Sequence, residues 1–176
     1  MLKQNMTVLE IKLIPDPVLR KKAEPVKVVT NDIISVLNDM AETMYDAPGI
    51  GLAANQVGIL KRLIVMDCST DDEDPNLIKM INPEIIFSST EISELEEGCL
   101  SIPEHKSIVK RPSNIKVKFL NIEGLEEIID AEGLLSACIQ HEIDHLNGVL
   151  FVDHISRLKR DIILRKVKKQ IRENEK

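Results

Sequence analysis

A chain of 176 residues that is 43% hydrophobic and 30% charged is long enough to bury a core as one domain and too apolar for wholesale disorder. Three Phe, one Tyr and no Trp make that core aliphatic and argue against a surface that stacks bases, so sequence-specific nucleic-acid binding is not expected. The start MLKQNMTVLE shows no secretory pattern and no stretch reaches ~18 apolar residues, which predicts a cytoplasmic protein with no membrane span.

Three cysteines then read as reduced thiols or a metal ligand rather than a disulfide framework. The net charge of -6 is uneven: Ser156 to Lys176 holds nine Lys or Arg against three Asp or Glu, a local +6 that leaves -12 on the first 155 residues. Translation could start at Met1 or Met6.

In chain order, IPDPVLRKKAEPV (Ile14 to Val26) has three prolines and reads as extended chain wrapping a surface. From Asn31, Ile33, Ile34, Leu37, Met40, Ala41 and Met44 recur at helical spacing up to Pro48 and predict a core-packing helix. APGIGLAANQVG (Ala47 to Gly58) is a glycine-rich turn, and RLIVMD (Arg62 to Asp67) is a strand. LIKMINPEIIF carries one or two strands interrupted at Asn82-Pro83, and Ile115 to Gly133 forms a hairpin about Glu123-Gly124. LLSACIQHEIDHLN is a helix that Gly148 terminates. Ile163, Val167 and Ile171 mark a basic C-terminal amphipathic helix.

The expected fold is α+β, with mixed or antiparallel strands packed around a central metal-binding helix. Residues 1–155 form the catalytic part, and 156–176 form the basic helix and tail of the same domain.

That central helix contains His-Glu-x-x-His. His141 and His145 share a face and could hold one metal ion, with Glu142 beside them as a base. A catalytic site needs a third ligand. Phe151 stands where an extended motif would carry a histidine, His154 lies beyond the helix end, and a downstream carboxylate would fall among Arg165, Lys166, Lys168 and Lys169. Cys138 leans toward the helix N-terminus, away from the pair, and reads as a pocket or core residue. Cys68, beside an acidic loop, reads as structural. Cys99, in LEEGCLSIPE, could approach the histidines from outside, or it could be a small buried hydrophobe.

Three segments, GIGLAANQ (Gly49 to Gln56), EGCLS (Glu97 to Ser101) and QHEIDHLNG (Gln140 to Gly148), together resemble the signature motifs of peptide deformylase. The N-terminal PDPVLRKKAEPV is also similar, and the resemblance runs from about Ile11 to about Lys168. It implies that Cys99, His141 and His145 bind one divalent metal ion per chain, with Fe(II) favoured and Zn, Ni or Co as substitutes. It also implies that Glu142 is the catalytic acid/base, and that Gln56 and the Leu100 amide stabilise the oxyanion.

The implied reaction is removal of the N-formyl group from the initiator methionine of N-formylmethionyl peptides, releasing formate, with metal-bound water as nucleophile. A formamide is resonance-stabilised, so its hydrolysis calls for an activated nucleophile and preorganised donors to the tetrahedral oxyanion. An apolar methionine pocket is expected from Ile50, Gly51, Leu95, Gly98, Leu134, Ala137 and Cys138. At Lys106, where many family members carry Arg, the bidentate fork is lost. The basic tail allows docking on ribosomal RNA. The rivals are a zinc endopeptidase, which needs a different third ligand, and a metal-stabilised ribosome-binding module, which needs neither Glu142 nor Gln56.

Overall fold

The computed structural model describes residues 7–174, so the alternative starts Met1 and Met6 and the last two residues of the basic tail lie outside the described residues. Helix α1 (Asn31–Asp46) begins where the Thr30 hydroxyl accepts the Ile33 amide. Strands β1 (Gly51–Ala53), β2 (Leu63–Met66), β3 (Ile78–Ser88), β4 (Ile92–Cys99), β5 (Ile102–Pro112), β6 (Asn114–Leu120) and β7 (Glu126–Glu132) follow. Then come α2 (Gly133–Leu146) and α3 (Arg157–Asn174). The α+β expectation holds. Five strands form one antiparallel sheet in the order β1-β2-β3-β6-β7, and β4 pairs with β5 in a second, smaller sheet.

Strand β2 is buried on both faces, which is why it reads as an unbroken apolar run. Leu63 and Val65 point to the α1 side, where they meet Leu37, Met40 and Met44. Ile64 and Met66 point to the α2 side and meet Ile139, Ile143 and Leu146. A third cluster joins Ile163 and Val167 of α3 to Ile102 and Val109 of β5 and to Phe151, so the basic helix packs on the small sheet through its apolar stripe. Among the described residues no helix is long and apolar enough to cross a membrane.

Two local readings are corrected by the structure. LIKMINPEIIF is not interrupted: β3 runs through Asn82-Pro83, and the irregularity appears as a register shift against β6. Asn82 takes φ 52 there and its side chain exchanges hydrogen bonds with the Val26 backbone, 2.8 Å each way. The N-terminal wrap is not wholly extended either. A 3-10 turn at Pro17–Arg20 forms because Asp16 accepts the Val18 amide at 2.9 Å.

That wrap is tied to the end of α2. The Ala23 amide donates to the Leu146 carbonyl at 2.8 Å, and Gly148, at φ +75, sits against the Arg20 backbone. A Cβ at Gly148 would lie 2.5 Å from the Arg20 carbonyl oxygen, a rigid neighbour in a conformation that already disfavours side chains. Gly148→Ala should therefore lower the melting temperature by about 4–8 °C, corresponding to ~2 kcal/mol in a domain of this size. A thermal melt indistinguishable from the parent protein would show that the wrap yields freely.

Candidate active site

Helical spacing stacks His141 and His145 one turn apart on α2, with ring centroids 4.9 Å apart. Cys99 arrives from the end of β4, where the β4–β5 register slips between Gly98 and Cys99. The Cys99 Sγ lies 3.3 Å from Nε2 of His145, and that nitrogen lies 3.2 Å from Nε2 of His141. One donor atom from each of Cys99, His141 and His145 falls within 4.8 Å of the others. Lone-pair donors so crowded cannot all satisfy one another with protons, whereas a thiolate and two imidazoles are a ligand set for a divalent transition metal. The residues present therefore fit the metal that the sequence implies.

The outer nitrogens support this arrangement. His141 Nδ1 is 3.0 Å from Glu97 Oε2, so an N–H donated there leaves Nε2 with its lone pair. His145 is fully buried and its Nδ1 has no protein partner among the described residues. Burial drives His145 well below the usual imidazole value, assisted by the charges of His141 and Arg111, and the neutral form is the one that ligates.

Glu97 is in turn gripped by Arg111, with Nε to Oε1 at 2.5 Å and Nη2 to Oε2 at 3.0 Å. Burial raises its carboxyl, but hydrogen bonds from His141 and Arg111 hold it down at about 2. Arg111 also donates to Asp144 at 2.9 Å, and Asp144 faces His154 Nε2 at 2.7 Å. His154, too late in the chain to join the donor cluster, ends this chain of polar contacts at the surface.

Glu142 is buried beside the donor cluster with its Oε2 unpartnered among the described residues. Burial pushes its carboxyl up to about 7, against the pull of His141. Gly51 leaves the room it needs, since a Cβ there would strike Glu142 Oε1 and stand 2.9 Å from the Cys138 sulfur. Gln56 lies in the 3-10 turn Ala54–Val57. Its Oε1 accepts the Ala53 amide at 2.9 Å, which aims Nε2 at Ser101 Oγ (3.1 Å) and Cys99 Sγ (3.5 Å).

Cys99, His141, Glu142 and Gln56 line one cleft of about 700 Å³. Every residue expected for the methionine pocket lines it: Ile50, Gly51, Leu95, Gly98, Leu134, Ala137 and Cys138. Ala137 and Cys138 are buried in its floor, and Ile50 and Leu134 are exposed at its rim. Leu100 lines it too, its side chain filling the space over Gly49. Lys106 stands at the edge, 3.9 Å from Glu96, and both side chains are mostly in solvent.

Sequence reasoning missed Arg111, Asp144 and Ser101 and gave no role to Glu97. Glu97 opens the EGCLS segment and is an acid in the strand pattern ISELEEGC at a position that turns out to be buried. Arg111, on a neighbouring strand, had no such signal.

The fold and the cleft define an α+β hydrolase with a Cys/His/His group able to take a metal ion. The family model for polypeptide deformylase matches residues 8–161, and the chain belongs to that family of metalloenzymes. It is therefore an enzyme that removes the N-formyl group from nascent peptides. A peptide deformylase of Rhizobium meliloti is 52% identical over 164 residues, covering 93% of this chain and 94% of that one. One from Agrobacterium fabrum is 48% identical, over 95% and 98% of the two chains. The crystal structure of peptide deformylase from Ehrlichia chaffeensis superposes with a TM-score of 0.92 at 41% identity, covering 97% and 100%. The same organism's enzyme in complex with actinonin gives 0.89 at 43% identity, covering 94% and 98%.

The cleft wall at Ile50 is anchored to β2 and α1 through Asp67. The Asp67 amide donates to the Ile50 carbonyl at 2.9 Å, and the Tyr45 hydroxyl donates to the Asp67 carboxylate at 2.6 Å. Burial raises that carboxyl, but the Ser69 hydroxyl, Tyr45, and the Ser69 and Asn76 amides hold it at about 2. The folded value lies below the ordinary 3.8, so the stabilisation is complete above 3.8 and is lost as pH falls toward 2. Asp67→Asn should thus melt below the parent near neutral pH, and the gap should close as pH drops below 3.8. A gap of constant size down to the acid limit would contradict this origin.

Proposed function

We propose that Cys99 Sγ and Nε2 of His141 and of His145 hold one divalent ion, with Fe(II) as the native metal and Zn, Ni or Co as substitutes. The observation that carries the reading is the convergence of these donor atoms within 4.8 Å, at a cleft that Cys99 and His141 line together with Gln56 and Glu142. When bound there, the ion supplies Lewis acidity, which polarises the formyl oxygen and brings the pKa of water toward neutrality.

The protein groups do the rest. Glu142 takes a proton from the attacking water onto its carboxylate and returns one to the leaving amine as the C–N bond breaks. Gln56 Nε2, oriented through Oε1, and the Leu100 amide donate to the oxygen that becomes negative in the tetrahedral state. Glu97 keeps His141 in the tautomer that offers Nε2. Ile50, Gly51, Leu95, Gly98, Leu134, Ala137 and Cys138 receive the methionine side chain. Lys106, as a point charge already facing Glu96, gives substrate no bidentate anchor.

We place residues 1–155 as the catalytic part and 156–176 as the helix and tail of the same domain, in the cytoplasm. The basic face of α3 docks on ribosomal RNA through phosphate contacts, and its apolar stripe is occupied by the small sheet.

Formate release from formyl-Met-Ala-Ser by anaerobically purified enzyme tests the chemistry. Glu142→Ala should lose ~10²-fold or more of the rate while elemental analysis finds the metal retained. Near-parental turnover in that variant would remove Glu142 from the mechanism. Full activity with zinc and no iron would displace Fe(II) as the native ion.

Truncation before Lys166 offers a separate check on the tail. It should reduce salt-sensitive ribosome co-sedimentation and spare peptide deformylation; undiminished sedimentation would rule out docking through α3.

A further inference from the structure

Strand β2 sends Ile64 and Met66 toward α2 and Leu63 and Val65 toward α1. The same alternation carried past the strand end puts Cys68 on the α2 side, packed against the cluster that contains Cys138. Two backbone links bring the cysteines together. Gly51 pairs with Met66 in register, and the Ile50 carbonyl accepts both the Asp67 amide at 2.9 Å and the Cys138 thiol at 3.7 Å. Cys68 thus packs on the cluster that holds Cys138, with the Ile50 carbonyl between the two segments. Neither thiol has a part in the proton or metal chemistry, yet Cys138 lines the substrate cleft.

We infer that Cys68 and Cys138 form a hydroperoxide-responsive dithiol beside the active site, whose oxidation to a disulfide reshapes the substrate pocket. Cys68 is the half-buried member, in coil just beyond β2, and Cys138 is the buried one. A small oxidant therefore meets Cys68 first. The neighbouring Cys138 thiol shifts Cys68 below the ordinary thiol value, against burial, which favours the nucleophilic thiolate.

Attack of that thiolate on a peroxide oxygen breaks the O–O bond, leaving a sulfenic acid on Cys68 and an alcohol or water. The Cys138 sulfur then attacks the Cys68 sulfur: the S–S bond forms, the S–O bond breaks and water leaves with the Cys138 proton. Overall, two thiols and one hydroperoxide give one disulfide, one alcohol (water from hydrogen peroxide) and one water, with two electrons passed to the peroxide. The neighbouring thiol resolves the sulfenic acid before it can oxidise further.

The disulfide takes the Cys138 sulfur away from the Ile50 carbonyl and from its place over Gly51, both of which line the cleft. Substrate binding should weaken while Glu142 and the donor cluster stay in place. This effect on turnover rests on the proposed deformylase site, but formation of the crosslink does not.

The test uses the full chain loaded with zinc, so that the ion itself is redox-inert. After hydrogen peroxide, free thiols should fall from three to one, and digestion without reductant should yield a single crosslinked peptide pair joining Cys68 to Cys138. KM for formyl-Met-Ala-Ser should rise with kcat retained and return to its starting value with dithiothreitol. Cys68→Ser should equal the parent before oxidation and show no dithiothreitol-reversible change after it. Pairing through Cys99, or over-oxidation of Cys68 with Cys138 still free, overturns the dithiol. A formed crosslink with unchanged KM overturns its link to the pocket. Lack of deformylation before any oxidant is added would instead indict the reading of the active site.

Discussion

Glu97 is an acid held out of water, 8% exposed, and the active-site region is arranged around satisfying it. Both of its oxygens are taken by Arg111, and one also faces Nδ1 of His141. One carboxylate thus ties β4, β5 and α2 together at a single point. The intact group adds little net stability, because desolvating the charges offsets their attraction, but stranding one of them typically costs ~3–5 kcal/mol. What it supplies is position. In the one register that brings Glu97 to both partners, the residue two further along β4 is Cys99, and Cys99 then meets His145.

Helix α2 is the other half of that arrangement. It is buried on almost every side from Ser136 to His145, since one face packs on the five-stranded sheet and another lines the cleft. A helix so enclosed must answer each polar group it carries. Gln140 donates to the Pro112 carbonyl and to Ser136, and Asp144 accepts from Arg111. Glu142 and His145 are the exceptions, each with one atom unpartnered among the described residues. A buried carboxyl that nothing structural employs is available to take and return a proton.

Local patterns in the chain were legible where one element met one environment. The spacing of Leu37, Met40, Ala41 and Met44 in α1 and the Glu123-Gly124 turn between β6 and β7 follow from helix period and turn chemistry alone. β5 was not readable, because IPEHKSIVKRP is broken by prolines and charges and most of its residues are exposed or half-buried. The positive φ of Asn82 was hidden for a different reason: its support is the Val26 backbone, distant in sequence. Cys68 looked solitary among acidic neighbours, and only the sheet register set it against Cys138.

By itself the sequence determined that His141, Glu142 and His145 would share one helix, with the two imidazoles on a common face. Four-residue spacing enforces this whatever the rest of the chain does. The EGCLS resemblance named Cys99 as their companion, but residue chemistry alone left that thiol between ligand and core. Its approach to 3.3 Å of His145, the grip of Arg111 on Glu97 and the meeting of Cys68 with Cys138 were decided only by tertiary structure. Each joins elements far apart in the chain, and such contacts depend on strand register and on packing across a shared core, which no local period records.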